Sequence, residues 1–67
     1  MDVRGRLGAN VKRLREARGI SQEELAFQAD MHRTYISGIE RGKRNPTITV
    51  VDRLATALAA SSSDLLV

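Results

Sequence analysis

Arg33, Ser37 and Arg41 recur at intervals of four, Thr34 and Gly38 fall in the adjoining row, and Lys43, Arg44 and Asn45 follow directly. Residues three and four apart share one face of a helix. That face would carry guanidinium, hydroxyl and ammonium groups around one bare position. Its chemistry is hydrogen-bond donation to an anion or to an acceptor-rich edge, and arginine can grip two acceptors at once. The opposite side of the same stretch holds Tyr35, Ile36 and Ile39 at helical spacing, so it should pack.

The remaining charge follows the same bias. Arg4, Arg6, Lys12, Arg13, Arg15 and Arg18 lie within the first 18 residues, and only Arg53 lies beyond Arg44. Eleven Lys+Arg against eight Asp+Glu give a net charge of +3 over 67 residues. The distribution implies one positive face, suited to a polyanion. On charge alone, a merely solvated surface is the equal alternative.

Other chemistry finds no support. There is no cysteine, hence no disulfide and no thiolate metal site, and this usage suits a reducing compartment. His32 is the only histidine, so no metal site and no cofactor are expected. No serine–histidine–carboxylate grouping and no glycine-rich phosphate loop occur, and Asp52 and Asp64 read as isolated, solvated acids. An enzyme is not expected. No apolar run approaches the roughly 20 residues of a membrane span, and no apolar core of a secretory signal follows the first charges.

The elements that must position these groups are short helices. Val3, Leu7, Val11 and Leu14 form one stripe over residues 3 to 18, with Gly5 and Gly8 expected to fray the first two turns. Gly19 then closes the helix. Ser21 starts the second helix, with Glu24 completing a capping box and Ile20 and Leu25 a hydrophobic staple. It ends near Ala29. Met31 and Ile36 form a second staple around the start of the third helix, which Gly42 ends. Asn45-Pro46 is a turn, and Thr47 caps a fourth helix. Five β-branched residues, Thr47 to Val51, favour a strand there. The spacing of Ile48, Val51, Leu54, Ala55 and Leu58 favours a helix, and helix is the choice. Ser61, Ser62 and Ser63 cap a last short turn carrying Leu65, Leu66 and Val67. The fold expected is an all-α, compact five-helix bundle forming a single domain over residues 1–67.

Two short helices joined by about three residues, the second with a polar free face, follow the helix-turn-helix plan, here over residues 21–41. In that plan the second helix enters the major groove of a duplex. Residues 11–58 resemble the phage-repressor/Cro-type (xenobiotic-response-element-like) helix-turn-helix regulators. The resemblance rests most on RGISQEELA, RTYISGIERGKRNPT and RLATAL, and RTYISGIER is similar to the controller proteins of restriction-modification systems. The resemblance implies a lambda-repressor-like, bacterial or phage, homodimeric protein that binds palindromic operator DNA and regulates transcription.

With that frame, base contacts are expected from Arg33, Thr34, Ser37 and Gly38. Arg33 would pair with guanine O6 and N7. Gly38 has two readings: it lets the backbone approach a duplex, or it packs closely against a neighbour. Phosphate contacts are expected from Gln22, Tyr35, Arg41, Lys43, Arg44 and Asn45, and Tyr35 should pack as well. The resemblance also implies a partly buried ion pair between Arg15 and Glu40. It shows customary glycines replaced by Asp30 and Ala59, and a small capping residue replaced by His32, which either loosens the third helix or touches the DNA backbone. Leu65, Leu66 and Val67 are assigned to a dimer interface, helped by Val50 and Ala57, with Leu65 or Leu66 closing the chain's own core. The partners are double-stranded DNA and a second copy, in the bacterial cytoplasm at the nucleoid, with no membrane. The alternative function is an antitoxin or anti-activator that masks a partner protein.

Overall fold

The computed structural model describes residues 2–67. Four helices appear in order: α1 Val3–Ala17, α2 Gln22–Ala29, α3 Arg33–Glu40 and α4 Ile48–Ala57. The expected fifth helix is a single 3₁₀ turn, Ser62–Leu65. Among the described residues there is no strand. The β-branched run therefore yields to helical spacing, and Thr47 stands outside the helix as its cap, accepting from the Val50 amide at 3.2 Å.

The N-termini show how side chains replace missing backbone partners. Asp2 accepts from the Arg4 and Gly5 amides at 2.9 and 3.1 Å. Ser21 accepts from the Glu24 amide at 2.9 Å. The capping box expected there is only half made, because the Glu24 carboxylate accepts instead from Gln28 Nε2 at 2.8 Å. A complete box forms elsewhere: Asp64 accepts from the Ser61 amide while Ser61 Oγ accepts from the Asp64 amide. The hydrogen bond from the Ser61 amide, followed by one from the Ser61 side chain, holds the Asp64 carboxyl below the usual carboxylate range. Asp52 accepts from Ser62 Oγ at 3.2 Å. Contrary to expectation neither acid is isolated, since the chain turns back and brings serine donors to them.

All four helices end alike. A residue one or two places past each helix closes it in the left-handed conformation, at Gly19, Asp30, Gly42 and Ala59. The next amide in each case donates five residues back: Ile20 to Arg15, Met31 to Ala26, Lys43 to Gly38 and Ala60 to Ala55. Two of these positions lack glycine and hold a conformation that disfavours a β-carbon.

The core is one cluster, with Leu25, Ile36, Ile39, Leu54, Leu65 and Val11 fully buried. α1 packs on α3 and on the 3₁₀ turn, α2 on α3 and α4, and α4 on the 3₁₀ turn. Each buried aliphatic side chain contributes about 1.5–3 kcal/mol, so the cluster dominates folding. Ile20, Leu14 and Met31 pack partly buried against it. Two stripe residues fall outside: Val3 is 47% and Ile48 86% exposed. Each opens its helix, where the path of the first turn leads away from the core.

Gly8 reverses its expected role. It is buried, and a β-carbon there would collide with the Ile39 carbonyl oxygen and lie 2.8 Å from that of Glu40. Close passage of α1 over the end of α3 requires it, so the fraying expected of this turn gives way to tight packing.

Candidate nucleic-acid interface

α3 is held from behind and bare in front. Ile36 and Ile39 are buried, while Arg33 and Thr34 are exposed and Ser37 is half-buried. Arg33, Thr34 and Ser37 share a shallow surface concavity with Gln22 at the start of α2. A helix face with buried aliphatics on one side and these donors on the other can be pressed into a groove without unfolding. Such a face fits the major groove, about 12 Å wide.

Buried polar contacts fix the orientation of α3. Arg15 Nε donates to Glu40 Oε2 at 2.7 Å and Arg15 Nη2 to Glu40 Oε1 at 3.1 Å. Arg15 Nη1 donates to the Ile20 carbonyl at 2.9 Å, tying the loop between α1 and α2 into the same network. Burial would lower the Arg15 pKa, yet the Glu40 hydrogen bond outweighs it and raises it. Gln22, expected at a phosphate, donates Nε2 to Glu40 Oε1 at 3.0 Å in the free chain. One amide hydrogen and the carbonyl oxygen of its side chain lie outside that bond.

The residues following α3 are placed less simply. Gly38 is buried, and what covers it is the Arg44 side chain: a β-carbon would lie 2.9 Å from Arg44 Cγ and 3.1 Å from Nε. The Arg44 guanidinium sits 5.3 Å from the centroid of the Tyr35 ring, in cation–π range. Tyr35 is half-buried and packed against the core. The packing alternative for Gly38 thus describes this chain as it stands, with a side chain as the neighbour rather than a helix. Arg41 is exposed and donates Nε to the Ser37 carbonyl at 3.3 Å. Lys43 and Asn45 are exposed, and Asn45 lies at the edge of a different cleft, beside Pro46 and Ile48. His32 stands at the cap position of α3 without capping it.

Three functional supports carried no local signal. Arg53 Nη2 donates to the Ala29 and Asp30 carbonyls at 2.7 and 2.6 Å, holding the turn between α2 and α3 from α4. A cation at those carbonyls also suits the negative end of α2. Asn10 and Gly8 act across the fold as well. Only the isolation of Arg53 among the basic residues set it apart in the sequence.

The described residues include no group of histidine, cysteine or acidic side chains arranged to hold a metal ion, and no helix long and apolar enough to cross a membrane. What they hold is two short helices, a three-residue turn and a donor-lined outer face.

A family model described as Helix-turn-helix matches residues 11–65. This chain belongs to the helix-turn-helix family. Control protein C.BamHI of Bacillus amyloliquefaciens is 42% identical over 66 residues, covering 97% of this chain and 82% of that protein. The hypothetical transcription factor NHTF from Neisseria superposes with a TM-score of 0.95 at 38% identity, over 98% of this chain and 76% of that one. The restriction-modification controller protein C.Esp1396I, crystallised as a tetramer with its natural 35 base-pair operator, gives 0.88 at 34% identity, over 97% and 86%. Like these relatives, this helix-turn-helix chain is a transcriptional regulator and not an enzyme.

The helix-turn-helix pair is residues 22–40, with Asp30, Met31 and His32 as the turn. One assignment requires correction. Leu65, placed on the pairing surface with Leu66 and Val67, is fully buried in its own chain, whereas Leu66 is 42% and Val67 76% exposed. The 3₁₀ turn points Leu65 between α1 and α4, which leaves its two successors outside.

Proposed function

We propose that this regulator binds a palindromic operator as a homodimer, with α3 of each copy in the major groove of one half-site. The observation that carries this is the outward-facing edge of exposed Arg33 and Thr34 with half-buried Ser37, on a helix locked from behind by the Arg15–Glu40 fork. Arg33 reads a guanine, and Thr34 and Ser37 contact neighbouring base edges. Lys43, Arg41 and Arg44 contact phosphates, joined by the Tyr35 hydroxyl, the remaining Gln22 donor and Asn45. Gly38 joins the base-reading surface only when Arg44 swings off it toward the backbone.

One such helix spans too few base pairs for a unique address. A twofold pair doubles the site, with half-sites about 34 Å apart. The surface that supports pairing is a mainly apolar cleft with Arg4 and Asn45 on its lining. Val3, Leu7, Pro46, Ile48, Val51 and Leu66 line a cleft of about 270 Å³, with Val67 exposed on the same last turn. Leu66 and Val67 retain their assigned role there, and Ile48 and Val3 take the place given to Leu65. A regulator of this kind works in the bacterial cytoplasm, at the nucleoid.

Footprinting and gel shift on the DNA upstream of its own gene test the proposal. A sequence-selective, salt-sensitive complex protecting two half-sites is the expected result. No such complex, together with capture of a protein partner, would instead favour the masking role.

A further inference from the structure

Asn10 is buried, 9% exposed over the whole residue. Its Nδ2 donates to the Leu65 carbonyl and to the Val67 carbonyl, both at 3.0 Å. Its Oδ1 accepts from Arg13 Nη2 at 3.2 Å. The amide orientation is settled by these partners, since two acceptors require the nitrogen and one donor requires the oxygen. Both hydrogens of one amide are therefore engaged with the carbonyls on either side of a single residue, Leu66.

Leu66 is half in and half out. It lines the cleft with Val3 and Ile48, yet keeps 42% of its surface exposed, and Val67 follows at 76%. The 3₁₀ turn ends at Leu65, its last hydrogen bond runs from the Leu66 amide to the Ser63 carbonyl, and Val67 lies beyond it. Leu66 donates its own amide to Ser63, and the carbonyls around it depend on Asn10. An unheld apolar pair at this point would sample many directions, and ordering it on contact would weaken association.

We infer that Asn10 is a positioning residue for self-association: from α1 it fixes the direction in which Leu66 and Val67 meet a second copy. This rests on the pairing proposed above. Asn10 touches neither DNA nor the partner. It pre-orders the segment that does the touching, and it links that segment to the same helix whose Arg15 fixes α3.

The experiment is sedimentation equilibrium on the full chain and on Asn10→Ala and Asn10→Asp, with helix content and melting followed by circular dichroism. The isosteric aspartate keeps the shape and loses the two amide donors. Asn10→Ala should fold and melt modestly lower, by about 4–8 °C, and Asn10→Asp should melt lower still because its oxygens face the same two carbonyls. Both should dimerise at least about tenfold more weakly, while their affinity for a short random-sequence duplex at low salt matches that of the parent monomer. A residue serving the fold alone would lower melting and leave the dimer constant in place. That outcome, or failure of both variants to fold, overturns the role given to Asn10. If the unsubstituted chain itself sediments as a monomer throughout, the pairing proposal fails first. If it dimerises and the variants dimerise as tightly, only the Asn10 inference fails.

Discussion

Arg15 on α1 and Glu40 at the end of α3 face each other as a two-bond fork, 2.7 and 3.1 Å, with side chains 11% and 3% exposed. Both charges are out of water, so the pair orients α3 more surely than it adds net stability. Removing one partner is another matter, because the other charge is left buried alone. Glu40→Gln should lower unfolding free energy by about 3 kcal/mol. Urea unfolding checks this: the midpoint should fall with an unchanged slope. A midpoint within error of the parent would show that Arg15 reaches water without Glu40.

Gly8 sets two opposing rules against each other. Helix propensity alone says that Gly8→Ala should stabilise α1 by about 1 kcal/mol. The Ile39 and Glu40 carbonyl oxygens leave no room for the methyl group. Overpacking should prevail, with a net loss of about 1–3 kcal/mol. Thermal melting decides the sign, and a rise would mean that α1 and α3 can separate cheaply.

Arg33→Ala should cost about 1–3 kcal/mol on the operator and relax preference at one base position. Binding to a panel of single-base operator variants reads this directly. An unchanged preference would move Arg33 from the base edge to the backbone.

Arg44→Ala should weaken binding evenly across sequences and reduce the salt slope by about one unit. Because Arg44 also covers Gly38 and lies over Tyr35, its removal should leave both more exposed in the free protein. Tyrosine fluorescence of the free variant is the companion measurement. A loss confined to one base position would contradict the phosphate assignment.

Ala59 holds φ 55° after α4, where a β-carbon is disfavoured. Ala59→Gly should relieve that strain, partly offset by the greater freedom of glycine when unfolded. The net gain should be a few tenths to about 1 kcal/mol, seen as a higher melting temperature. A fall in melting temperature would show that the turn holds alanine without strain.

The residue pattern by itself determined the helices, their order and the donor edge. Helical spacing, a serine cap or a closing glycine concerns groups within about four residues, and such groups meet whenever a helix forms. Hence Ser21, Gly19, Gly42 and the face carrying Arg33, Thr34 and Ser37 were legible from the chain alone, and the family likeness supplied Arg15 with Glu40. Tertiary structure decided what meets at long separation. Asn10 finds carbonyls 55 and 57 residues away, and Arg53 holds a turn 24 residues back. Gly8 matters only because α3 crosses it, and Leu65 rather than Leu66 entered the core because the last turn is 3₁₀. No local pattern encodes these, since two segments must first be packed by the core before either presents its atoms to the other.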